Sequence, residues 1–333
     1  MKLLQSRVLP LLTAIVGLAA MAALVGYFGA GAVLRSLLAV GAGGFVAICL
    51  IHLVLIAVMG IAWQALVPGA RPLIMIWGRL VRDSGSEVLP LSQVGGYVLG
   101  ARAVTLTGLS GTVAAASTIV DVTLEFVAQL AYTALGLAWF VQLQPDTAMA
   151  RPIMIGLVFA SAAAAAFLLA QRHGFKYFDR IAGALGSGWA ERTASGAAAL
   201  HAALAAIYRN VAGLWVSFLL HLACWVAGAL EAWLALTLAD VPIGFGSVLA
   251  IESLLYAIRT AAFIVPNAVG VQEGAYILLG AGFGLTPEMA LALSLLKRAR
   301  DLAIGLPAIA AWQALESGRL WRRVAAVPAR APD

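Results

Sequence analysis

Apolar runs long enough to cross a membrane recur along this chain, and they leave it few ways to fold. They lie approximately at residues 8–27, 37–66, 111–141, 152–171, 211–239 and 286–314, and a helix needs about 20 apolar residues to span the hydrocarbon core. No alternating strand pattern competes with them. Because 63% of the 333 residues are hydrophobic and only 11% are charged, the expected fold is an all-α polytopic membrane protein with six full transmembrane helices. The run at 8–27 exceeds an ordinary signal-peptide core and reads as an uncleaved first span. The formal net charge of +6 does not point to nucleic acid, because the cations are scattered among loops between apolar runs, as topology signals are. Cys49 and Cys224 sit within apolar runs as small hydrophobes, with no disulfide framework or metal site implied.

Two stretches depart from the plain pattern. Residues 71–107 carry Arg71, Arg79, Arg82, Asp83 and Glu87 before "VLPLSQVGGYVLGAR", and residues 245–283 form a long apolar run broken by Pro266 and several glycines. Each reads as two short helices meeting at a proline, Pro90 in the first and Pro266 in the second. Re-entrant hairpin or double crossing, either option returns the chain to the side it left. With the N-terminus inside, nearly all loop cations fall on the inner side and only Arg35 and Arg151 on the outer, which predicts two cytoplasmic termini. The first broken element then opens from the inside and the second from the outside.

A shift of 176 residues aligns Pro90 with Pro266 and Glu125 with Asp301. The expectation is an inverted repeat, approximately 37–141 and 211–314, of the kind that places a cavity at the midplane of transporters. Residues 174–210 read as amphipathic helix on the cytoplasmic surface, and 316–333 as a basic cytoplasmic tail.

The chemistry-bearing residues lie inside the spans. Lys297, Arg298, Arg300 and Asp301 interrupt the run at 286–314, and at 100° per residue they share one side of a helix. Asp301 is expected to pair with Lys297 or Arg298 one turn away, leaving a surplus of positive charge. Asp121 and Glu125, one turn apart in the matching span, are the natural partners for that surplus. Such a set either forms a buried ion-pair network that fixes helix register or lines a polar cavity for an anionic or zwitterionic headgroup. Glu273 either lines the outer mouth or caps a half-helix. At the inner break stand Gln93, Gly95, Gly96 and Arg102, where the glycines allow close packing. Glu252 and Arg259 are spaced for a mutual pair or a ligand role. His52 and His221, in the recurring "IHL" and "LHL", read as hydrogen-bonded packing residues, since neither has a second metal ligand one turn away. No nucleotide loop, nucleophile elbow or metal-protease motif occurs, so no enzymatic activity, cofactor or metal is expected, although paired acids such as Asp121 and Glu125 suit intramembrane acid–base work.

At "VLPLSQVGGYVLGAR", "ASTIVDVTLEF" and "VPNAVGVQEGAYILLGAGFGLTPEMALALSLLKRARDLAIGLP" the chain resembles the lysylphosphatidylglycerol synthase transmembrane, flippase-like family, and within it the hopanoid-biosynthesis-associated membrane proteins. The resemblance implies a bacterial inner-membrane protein that translocates phospholipids, hopanoids or their polar derivatives. Hopanoid-synthesis enzymes are possible partners, and the oligomeric state is left open. The residues that match the family pattern are Pro90, Gln93, Gly95, Gly96, Arg102, Asp121, Glu125, Glu273, Lys297, Arg298, Arg300 and Asp301. The chain departs from that pattern at Ser86-Glu87, Tyr97 and Val122. Family members with a lysyl-transferring domain carry it after the membrane region, so aminoacyl transfer is not implied here. A membrane scaffold for synthesis enzymes and an intramembrane lipid transferase are the alternative functions.

Overall fold

The computed structural model describes residues 22, 26–27, 30–88, 93–144, 150–173, 187–262 and 265–325. Most of the expected first span, Pro90, and residues 174–186 of the expected surface helix lie outside them. The described residues form helices and connecting turns, with no strand. In chain order the α-helices are α1 (Ala30–Ala39), α2 (Gly41–Ala65), α3 (Pro72–Val88), α4 (Gln93–Thr105), α5 (Gly111–Leu143) and α6 (Ala150–His173). They continue as α7 (Ser187–Arg209), α8 (Val211–Leu238), α9 (Phe245–Ala261), α10 (Val271–Ala281) and α11 (Pro287–Ala325).

Among the described residues, α2, α5 and α8 combine the length and apolar composition of a membrane span. Helix α6 contains the shorter apolar stretch Met154–Leu169. Large apolar side chains such as Leu50, Val54, Phe159, Trp215 and Leu219 stand exposed on these helices, as lipid-facing residues must. The expected span at 37–66 is two helices, because Gly41 takes a left-handed backbone (φ 70°) between α1 and α2. Helix α11 continues to Ala325 as 39 helical residues, so the first part of the stretch at 316–333 is helical, and 326–333 lie outside the described residues. Helix α7 turns Leu204 and Ile207 into an apolar core shared with Trp63 and Leu66 of α2 and its C-terminal turn.

Both broken elements are pairs of short helices. Helices α3 and α4 have 17 and 13 residues, and α9 and α10 have 17 and 11. At about 1.5 Å per residue the longest of these reaches about 26 Å, short of a hydrocarbon core about 30 Å thick. The α3–α4 pair is an antiparallel hairpin held at backbone contact by glycine. A Cβ on Gly100 would meet Gly78 and Arg82, and one on Gly96 would fall 2.0 Å from Ser86 Oγ and 2.5 Å from the Arg82 carbonyl oxygen. The expectation that this glycine serves close packing holds.

The second hairpin turns through a 3-10 segment, Pro266–Ala268, in which Asn267 and Ala268 have φ of 51° and 47°, followed by Gly270 at 81°. Its first helix, α9, packs on α5, where Gly136 lies against Ser253 and Gln129 reaches Tyr256 and Thr260. Helix α3 packs on α11 in the corresponding way, with Gly305 against Ser84 and Val88. Each hairpin therefore leans on the long helix that follows the other hairpin.

Replacing Gly96 with alanine forces the two backbones of the α3–α4 hairpin apart, and the expected loss is about 1–3 kcal/mol of stability. Gly156 on α6 has no neighbour within 4 Å of an added Cβ, so Gly156→Ala should be neutral or stabilising by up to about 1 kcal/mol. Unfolding of the two variants in detergent micelles, beside wild type, checks both.

Candidate functional site

Charged side chains on a membrane helix are stable only when partners and hydrogen bonds replace water, and the helix contacts bring those partners together here. On α3, Arg79 and Arg82 are one turn apart and face Asp121 and Glu125 of α5. Arg79 forms a fork on Glu125, with Nη2 to Oε1 at 2.6 Å and Nη1 to Oε2 at 3.1 Å, and its Nε donates to Asp83 at 2.7 Å. Arg82 donates to Asp121 at 2.5 Å and also to Glu125. The Arg79 fork on Glu125 and the Arg82 bridge between Asp121 and Glu125 are the short, charge-assisted contacts that planar guanidinium groups favour. His221 Nε2 from α8 lies 3.0 Å from the second oxygen of Asp121, and the ring of Tyr97 packs 4.7 Å from the Arg82 guanidinium.

A second group of charges gathers on α8, α9, α10 and α11. Lys297 donates to Glu252 at 2.6 Å and to Tyr276 Oη at 3.0 Å, and Tyr276 itself donates to Glu252. Arg298 donates to Glu273 at 2.7 Å. Glu273 also accepts from the Gly270 backbone N–H at 2.7 Å and from Ser294 at 2.9 Å, so it caps the start of α10. Arg300 pairs with Asp301 at 2.6 Å and with Glu231, whose other oxygen faces His52 Nδ1 at 3.0 Å.

The end of α3 meets the turn of the second hairpin between these groups. Arg259 of α9 donates to Glu87 of α3 at 3.2 Å and to Asn267 Oδ1 at 3.1 Å, while Asn267 Nδ2 donates to the Glu87 carbonyl at 3.1 Å. Beside this junction lies a cavity of about 290 Å³, walled by residues of seven helices (α2–α5, α8, α9 and α11), including His52, Arg82, Glu125, Glu231, Arg259 and Lys297. Its floor mixes these charges with apolar surface from Met59, Phe126 and Trp225.

Several expected pairings are corrected. Asp301 pairs with its neighbour Arg300, not with Lys297 or Arg298, whose acids come from α9 and α10. Asp121 and Glu125 are matched by Arg79 and Arg82, not by the cations of α11. Glu252 and Arg259 do not pair with each other. The surplus of positive charge is therefore absent among the described contacts. Of the expected site residues, Glu125, Lys297, Arg300 and Asp301 line the cavity, and Asp121 is sealed behind Arg82 and Glu125. Glu273 and Arg298 pair at the hairpin break, outside the lining. Arg102 is half-exposed and pairs with Glu316 at 2.7 Å, away from the cavity. The side chain of Gln93 is outside the described set.

Glu231, Arg79, Arg82 and Tyr276 were not singled out as site residues from the sequence. A lone acid in the middle of the α8 run and two arginines one turn apart on α3 were the signals that could have found the first three. Tyr276 gave none.

A family model described as the lysylphosphatidylglycerol synthase TM region matches residues 13–308. No curated protein and no solved structure matches the chain.

Removing one partner of a fully buried pair strands the other, so Lys297→Met should destabilise the fold by about 3–5 kcal/mol. Adding Glu252→Gln removes the stranded charge, and most of that loss should return. Chemical unfolding of wild type and the single and double variants in micelles makes the comparison.

Proposed function

From its membership of the lysylphosphatidylglycerol synthase TM-region family, to which the chain belongs over residues 13–308, we propose that this multi-pass membrane protein moves a lipid headgroup across the bilayer through the central cavity. The carrying observation is the cavity itself: about 290 Å³ of space walled by ion pairs, at the point where two half-length hairpins touch. That volume suits a polar headgroup, with acyl chains or a hopanoid ring system remaining in lipid while the head passes.

The two hairpins act as the re-entrant elements of an inverted repeat, one opening from each side, in a bacterial inner membrane with both termini in the cytoplasm. The correspondence of Gln129 against α9 with Gly305 against α3, 176 residues apart, supports the repeat. Polar lipids, including hopanoids with polar side chains, are the substrate class. Because the lining cations already have carboxylate partners, the site favours a headgroup with both charges or with hydroxyls, able to exchange into existing pairs, over a simple anion.

Vesicles of phosphatidylethanolamine and phosphatidylglycerol, containing purified protein and trace headgroup-labelled lipid, test this with a membrane-impermeant quencher. Wild type should expose label that empty vesicles keep protected. The Lys297→Met/Glu252→Gln double variant should lose that exposure while remaining folded. Equal exposure by wild type and the folded double variant would overturn the assignment of the cavity as the path.

A further inference from the structure

The buried ionic groups fall into local sets whose charges can be compared one set at a time. Glu252 with Lys297, Glu273 with Arg298, and Glu87 with Arg259 are one-to-one pairs. The two other sets each hold one carboxylate in excess. Arg79 and Arg82 face Asp83, Asp121 and Glu125, and Arg300 faces Glu231 and Asp301. Each of these sets contains one histidine. His221 Nε2 lies 3.0 Å from Asp121, and His52 Nδ1 lies 3.0 Å from Glu231 with its Nε2 4.0 Å from Asp301.

Asp83 and Asp301, partly exposed, line the cavity, and a carboxylate in excess among close charges favours uptake of a proton or a cation nearby. One proton on each imidazole brings each set to zero, and imidazole is the side chain able to gain and lose that proton near neutral pH. The two rings differ in setting. His52 has Glu231 at hydrogen-bond distance from Nδ1, and Asp301 stands 4.0 Å from its Nε2. The His52 side chain is 26% exposed and lines the cavity. His221 is fully buried at 0%, and its Nδ1 has no hydrogen-bond partner among the described residues. Around His52 stand Glu231 from α8, Arg300 and Asp301 from α11 and Cys49 on its own helix. Around His221 stand Asp121 and Glu125 from α5, Arg79 and Arg82 from α3, and Cys224 on its own helix.

We propose that these sets are two proton-binding sites, one at His52 with Glu231 and Asp301 and one at His221 with Asp121, and that the chain is a proton-coupled carrier. Loading adds one proton from water to a ring nitrogen and takes that set from one net negative charge to none. Release returns the proton to water on the side to which the cavity is open. The coupling rests on the translocation reading above, whereas proton binding stands on the charge sets alone.

Imidazole nitrogen spectra of histidine-labelled protein in the same phospholipid vesicles, at about pH 5.5 and about pH 8.5 on either side of the ordinary imidazole value, test binding without any substrate. His52→Gln and His221→Gln assign the two signals, and unfolding curves show that each variant is folded. Both signals should move between protonated and neutral positions. Signals that stay neutral at both values would overturn the proposal. For coupling, headgroup-label relocation is followed under a gradient of about two pH units, about 100-fold in proton activity, before and after a protonophore. Wild type should slow severalfold when the gradient collapses, and each folded variant should lose that response. Relocation indifferent to the gradient would overturn coupling while leaving translocation intact. An absence of relocation in wild type would count against translocation, and the spectra would still decide proton binding.

Discussion

Charge pairing in a medium without water is the constraint on which the rest of this structure depends. Arg79, Arg82, Asp121, Glu231, Glu252, Glu273, Lys297 and Arg300 are all buried, and a single unmatched ion among them would cost several kcal/mol. Each helix that carries one must therefore sit where its counter-ion sits. The side-chain geometry of the ion pairs thus fixes helix positions that apolar surfaces alone would leave free to slide, since lipid tails are as apolar as leucine.

Close approach makes that pairing possible. Arginine and lysine reach their partners because α3 and α4 meet at glycine, as do α5 with α9 and α3 with α11. Two apolar cores flank the polar centre, one around Trp63 and Met75 and the other around Leu254 and Tyr276. They hold the walls while the middle keeps a cavity. Polar interior, tight hairpins and apolar flanks are one construction: none of the three is stable in a bilayer without the other two.

Much of the architecture was legible in the sequence, because hydrophobic length and proline breaks are local signals. The spans at 111–141 and 211–239 fall on α5 and α8 almost to the residue, and both broken elements are short helix pairs. The ionisable residues in α5 and α11 also announced a polar centre. Their partners did not follow from the sequence, since pairing is set by which helices touch. Spacing along one helix suggested Lys297 with Asp301, yet Glu252 approaches from α9 and satisfies Lys297 together with Tyr276. Glu231 looked like part of an apolar span until α11 brought Arg300 against it. The left-handed turn at Asn267 was likewise hidden, because the preceding proline marks a break without giving its direction.

The long sequence separation of these contacts bears on how the protein is made. Glu87 meets Arg259 172 residues later, and His52 meets Glu231 179 residues later. When the first hairpin leaves the ribosome, Glu87 and His52 have no counterpart yet synthesised. The early helices must wait at the insertion machinery, or in a thinned and hydrated patch of bilayer, until the second half arrives. The N-terminal half should therefore be a poor independent folding unit, and quality-control proteases that recognise exposed intramembrane charge would have a long interval in which to act on it.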